Sequence, residues 1–117
     1  MAYVDGFVLA VPKKNKRAYV AMAKAGARLW IKHGALEYRE CWGDDLRSPF
    51  GTSFEKLVKL KAGETAVFSW VVFRSRAHRD QVNKKLMADP EMQNMPKKMP
   101  FDVKRMAYGG FESIVDA

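Results

Sequence analysis

The order of apolar patterns along this chain predicts an α+β fold of the ferredoxin-like type, βαββαβ, in which a four-stranded antiparallel sheet carries both helices on one face. Three observations predict it. Apolar side chains recur with a strand-like period in residues 3–11, 35–42, 66–73 and 103–115. They recur at intervals of three and four in residues 15–33 and 75–89, which puts them on one side of a helix. Pro12, Gly34 and Pro90 fall between these segments, where the backbone has to change course. A length of 117 residues makes the chain one domain, residues 1–117.

Each element has its own warrant. In residues 3–11 both alternating sets are mainly apolar, so the first strand is covered on both sides; Asp5 is the exception. Asn15 stands where an N-cap is expected, and Tyr19, Met22, Ala23, Gly26, Leu29, Trp30 and His33 form one helical stripe that ends at Gly34. Residues 35–42 mix polarity, with Leu36, Tyr38, Glu40 and Trp42 on one face, and read as an edge strand. The long connection 43–63 holds a capping-box pair, Thr52 with Glu55, ahead of a short turn that groups Phe54, Leu57 and Val58. Residues 66–73 are apolar on both faces and belong in the middle of the sheet. Ser75 caps the second helix, whose stripe is His78, Val82 and Leu86, and Pro90 stops it. Residues 92–100, rich in Met and Lys, predict a helical turn or ordered loop. The last strand, 103–115, is interrupted by Gly109-Gly110, which marks a bulge, a bend or a close backbone approach.

Composition narrows the function classes. Apolar residues at 48% and charged residues at 29% describe a globular domain and exclude a disordered or disulfide-stapled chain. No apolar run approaches the ~20 residues that span a bilayer, and no basic leader precedes the first strand, so a cytoplasmic protein is expected. The single cysteine, Cys41, fits a reducing compartment and reads as a small buried hydrophobe. A formal charge of +8 invites a polyanion, and residues 13–17 hold four basic side chains. Basic residues are otherwise scattered, with no stacking aromatics between them, so a solvated basic surface is favoured over nucleic-acid binding, which stays open.

A covering argument sets the quaternary expectation. Two helices shield one face of a sheet whose central strands are apolar on both. The bare face would exceed the ~300–600 Å² patch usual on a monomer, and burying each of its large side chains contributes roughly 2 kcal/mol before association costs. A second copy of the chain is the expected cover, giving a homodimer with sheets face to face around a small cavity.

Tyr3-Val4-Asp5-Gly6-Phe7-Val8, His33-Gly34-Ala35-Leu36-Glu37-Tyr38, Phe68-Ser69-Trp70, Arg74-Ser75-Arg76-Ala77-His78-Arg79-Asp80, Met99-Pro100-Phe101-Asp102 and Gly109-Gly110-Phe111-Glu112 resemble the uncharacterised bacterial YbaA-like family nearly end to end. That resemblance implies the dimeric α/β-barrel superfamily. The superfamily includes cofactor-free monooxygenases, haem-degrading and decarboxylating enzymes, isomerase-like proteins and ligand sensors, so it assigns no activity.

Two residues stand out for chemistry. Asp5 is a charge among apolar neighbours and needs a partner, expected to be Arg105 or Tyr108 across the sheet; it is either a register-setting ion pair or a pocket acid. His78 lies on the apolar stripe of its helix as a core histidine or a general base. His33, at a helix end, reads as a cap. Tyr38, Trp42, Trp70 and Tyr108 are expected to line the cavity between the two sheets or to form a dry dimer core, with Glu40, Arg105 and Asp5 as polar anchors. No metal-ligand spacing, nucleotide loop or triad is present, so no metal or cofactor is implied. The favoured function is a small-molecule protein, an oxygenase- or isomerase-like enzyme or a carrier of a small aromatic or acidic ligand. The alternative is a basic RNA- or polyanion-binding module.

Overall fold

The computed structural model describes residues 2–117. Its order is β1 (Tyr3–Pro12), α1 (Lys16–Lys32), β2 (Glu37–Trp42), the single turn α2 (Phe54–Leu57), β3 (Glu64–Phe73), α3 (Arg76–Ala88) and β4 (Ala107–Glu112). The strands form one antiparallel sheet in the order β2-β3-β1-β4, the split βαβ arrangement expected from the sequence. The doubly apolar strands β1 and β3 lie in the middle, and β2 of mixed polarity lies at an edge.

Register assigns the faces. Asp5, Leu9 and Val11 of β1 align with Val67 and Val71 of β3 on the side covered by α1 and α3. Under α1, Leu9, Val11, Tyr19, Ala23 and Val67 form one core; nearer α3, Ala35, Val71, Phe73 and Val82 form another. Full burial of side chains such as Val71, Phe73 and Val82 contributes about 1.5–3 kcal/mol each.

The opposite face is half covered. At one end Val58, Leu46 and Leu60 of the 43–63 connection seal Ala10 and Ala66. The covering count from sequence missed this, because the connection has too little regular periodicity to register as a layer. The rest is a groove of about 610 Å³ bounded by Val4, Val8, Trp70, Val72, Phe111 and Leu57. Its rim leaves Phe68 45% and Phe111 60% exposed.

Local expectations mostly match. Ser75 accepts a hydrogen bond from the His78 N–H, α3 ends before Pro90, and Gly34 takes the left-handed conformation (φ 114°) that closes α1. Asn15 occupies the N-cap position, but its side chain instead donates to the Pro100 carbonyl at 3.2 Å. The short turn is capped by Ser53, which accepts from the Lys56 N–H, rather than by Thr52; with lysine at the third position the expected capping box does not form. Val103–Arg105 is a 3-10 turn capped by Asp102 and not strand, because the Asp102 carboxylate binds the Lys104 N–H and ends extended pairing. Gly109-Gly110 is a close approach without a bulge: pairing with β1 is unbroken, and a Cβ at Gly110 would lie 2.7 Å from Cε2 of Tyr3.

Candidate ligand cavity between helices and sheet

The chain shapes a partly open chamber of about 210 Å³ under α1. Phe7, Leu9 and Ser69 make its floor from the two central strands, and Tyr19, Gly26 and Trp30 make a wall from α1. The third side is Met92, Met95, Met99 and Phe101, brought over by the 3-10 turn Pro90–Asn94 and the loop that follows. Asp89 fixes that cover. Its carboxylate caps the Glu91 N–H and takes His33 Nε2 at 2.7 Å and Lys32 Nζ at 3.0 Å from the end of α1. The backbone hydrogen bond from Glu91, then His33 and Lys32, hold the Asp89 carboxyl well below the usual aspartate range. The His33 side chain thus ties the end of α1 to Asp89, while it is the His33 backbone N–H that closes α1.

Polar groups converge at one end of the chamber. Tyr19 Oη donates to Glu40 Oε1 at 2.6 Å and Tyr38 Oη donates to Glu40 Oε2 at 2.5 Å. Tyr19 arrives from the first turns of α1, while Tyr38 and Glu40 share one face of β2 because strand side chains repeat every second residue. Burial, reinforced by Glu40, pushes both phenols far above the ordinary tyrosine range, so they keep their protons at neutral pH. On the outer side of this cluster lies a recess of about 270 Å³, where Lys16 Nζ sits 5.0 Å from the Trp42 ring centroid. Glu40 therefore stands between two hollows.

The other residues singled out from sequence separate. Tyr38, Glu40 and Trp42 come together on the helix side of β2, whereas Trp70 faces the open groove, with the Arg39 guanidinium 5.8 Å from its ring. Tyr108 stacks on Phe7 at 5.8 Å and is largely exposed. Asp5 does not meet Arg105 or Tyr108. Its carboxylate accepts from Arg79 Nη1 at 2.9 Å, because Asp5 points toward α3, and the guanidinium also lies over Tyr3. Burial raises the Asp5 pKa, and the nearby Arg79 charge partly opposes this.

Arg105 is held elsewhere by a two-pronged bridge to Glu64, both contacts 2.7 Å, and by Asp102 at 2.9 Å. His78 Nδ1 accepts from the Arg74 N–H at 3.0 Å, and its ring meets Phe73 edge-on. Neither Asp5 nor His78 lines the chamber. Among the described residues no three His, Cys, Asp or Glu side chains cluster as a metal site, and no helix is long and apolar enough to cross a membrane.

Tyr19, Trp30, Arg79 and the methionine cover were not identified from sequence as site residues. Tyr19 carried a signal: a tyrosine on a buried stripe needs a partner for its hydroxyl. Arg79 and the methionines carried none, since only folding brings them to Asp5 and to the chamber.

Residues 2–103 match a family described as a protein of unknown function, DUF1428. The chain belongs to the DUF1428 family. Within reach of this DUF1428 chain, the uncharacterized protein YbaA of Escherichia coli K12 is 49% identical over 116 residues, 99% of each chain, as is YbaA of Shigella flexneri. An uncharacterized NIPSNAP domain protein from Burkholderia xenovorans shares the fold, with a TM-score of 0.65 at 17% identity, covering 98% of this chain and 97% of the other. A dimeric ferredoxin-like protein from an uncultured marine organism superposes with a TM-score of 0.58 at 11% identity over 100% of both chains. The DUF1428 chain thus has the architecture that its strand polarity implied, and these distant likenesses establish that architecture alone.

Proposed function

We propose that this protein binds one small, largely apolar molecule in the chamber between α1 and the sheet, as a cytoplasmic homodimer. The carrying observation is the Tyr19–Glu40–Tyr38 cluster: three hydrogen-bonding groups converge at one end of a cavity otherwise lined mainly by aromatic, aliphatic and methionine side chains. Methionines are adaptable cover for such a guest, since the unbranched thioether repacks easily. Both phenol protons are already engaged by Glu40, which supports recognition over proton donation to a guest as their role.

The test is thermal shift against a panel of one- and two-ring compounds, comparing the native chain with Gly26→Leu. A Cβ at Gly26 would lie 3.5 Å from Trp30 and 3.9 Å from the Tyr38 hydroxyl, so a leucine side chain grows into the chamber. Stabilisation of the native protein that vanishes in Gly26→Leu is expected. A panel that stabilises neither, or both equally, removes the reading.

The dimer is supported by the half-covered rear face. Phe68, Phe111 and Leu57 remain exposed around its groove, and the molecule is a slab of 38 × 36 × 21 Å, broad enough for the ~800 Å² per partner that stable association requires. Sedimentation at micromolar concentration is expected to give a dimer, and Phe68→Glu a monomer; a monomeric native chain refutes it. The lone cysteine, Cys41, is consistent with a reducing compartment.

A further inference from the structure

The polar end of the chamber is one-sided in its hydrogen-bonding sense. Both phenol protons are directed at Glu40, so Tyr19 and Tyr38 offer a guest their oxygen lone pairs, and the carboxylate offers its remaining ones. Of the hydroxyls lining the chamber only that of Ser69, opposite Glu40 in the β2–β3 ladder, is not already donated to Glu40. Among the described residues no lysine, arginine or histidine nitrogen lies within 4.0 Å of the Glu40 carboxylate. Lys16, across in the outer recess, lies over Trp42. A carboxylate with no cation in contact therefore faces a space walled by π-surfaces, including Phe7, Trp30 and Phe101, while Lys16 and Lys24 stand in the recess on its other side.

Candidate guests sort on this chemistry. A carboxylate would set like charge against Glu40 in an apolar space, which is strongly unfavourable. A ketone brings acceptors to acceptors. An alcohol satisfies the hydrogen bonds and leaves the charge unmet. An ammonium group donates, neutralises Glu40 and is attracted to aromatic faces.

We infer that the chamber takes a small organic amine, bound as its ammonium ion, with the nitrogen at the Glu40 carboxylate and phenol oxygens and the apolar body among Trp30, Phe7 and the methionines. This rests on the chamber being the binding site proposed above. The overall charge of +8 does not oppose it at close range, because salt screens that field over ~8 Å while Glu40 acts at contact.

The experiment is calorimetric titration at pH 7 with three compounds of one shape: 2-phenylethylamine, 2-phenylethanol and phenylacetate. The amine is expected to bind at least about tenfold tighter than the alcohol, and phenylacetate to give no binding heat. Glu40→Gln is expected to bring amine and alcohol to equal affinity. If the native protein binds the alcohol as tightly as the amine, or if phenylacetate binds best, the ammonium inference falls while the chamber still binds. An amine preference that survives in Glu40→Gln overturns it as well. Absence of binding by all three overturns the inference, and the Gly26→Leu comparison then decides the chamber separately.

Discussion

Replacing Arg79 by methionine keeps much of the side-chain bulk and leaves Asp5 without its cation. The Arg79 and Asp5 side chains are 19% and 9% exposed, and their contact is 2.9 Å. Removing one partner of a fully buried pair costs about 3–5 kcal/mol, because the remaining charge is stranded. Partial access of water to this pair discounts that toward about 2 kcal/mol, and loss of the guanidinium over the Tyr3 ring adds about 0.5 kcal/mol. Urea denaturation at pH 7 should therefore show Arg79→Met about 2–3 kcal/mol less stable, with a melting point lower by roughly 10 °C.

A pH series separates stranded charge from lost packing. The folded Asp5 pKa is already raised by burial above the ordinary aspartate value of 3.8, and removing Arg79 raises it further. A group shifted in this direction stabilises the fold fully below its unfolded pKa and loses that contribution as pH rises through the folded one. The deficit of Arg79→Met should consequently shrink as the pH is lowered toward 4, and Asp5→Asn combined with Arg79→Met should recover part of the loss. A penalty under 0.5 kcal/mol at pH 7, or one that is flat with pH and untouched by Asp5→Asn, would refute the stranded-charge reasoning.

Other outcomes are open to simple measurement. Tyr19→Phe deletes one donor to Glu40 and should cost about 1 kcal/mol in urea without changing the fold. Gly43→Ala should be severe, about 2–3 kcal/mol or more, since its Cβ would sit 2.6 Å from the Ala66 carbonyl oxygen, a backbone atom that has little room to move; near-native stability would contradict the packing at that corner. The hydrogen bonds from Arg105, above all, lower the Glu64 pKa to about 2 from 4.5, so NMR titration should find it there and Arg105→Ala should return it toward 4.5. The corresponding stability is present above the unfolded pKa and is lost as pH falls from 4.5 toward 2. Trp70→Glu sets a charge at a half-buried position of the rear groove, so if the proposed dimer forms through that face the variant should sediment as a monomer that stays folded by circular dichroism.

What the sequence determined was periodicity and its consequences. Period-two alternation in two doubly apolar segments placed β1 and β3 in the middle of the sheet, and the mixed face of residues 37–42 placed β2 at an edge, because coverage on each side dictates polarity. Ser75 started α3, and Gly34 and Pro90 ended α1 and α3, for reasons local to the backbone. That Tyr38, Glu40 and Trp42 share a face was legible, since side chains two apart on a strand do so, but they were expected between two sheets and lie instead under α1. Tertiary structure alone decided who meets whom across the layers. Asp5 found Arg79 on α3 rather than Arg105, because the side of the sheet to which it points is set by strand register and helix placement, and Arg105 is held between Glu64 and Asp102. The 43–63 connection came to seal one end of the rear face, and Met92, Met95 and Met99 came to line the chamber. Those contacts join segments distant in the chain, and no local pattern encodes the angle at which a helix or loop returns over a sheet.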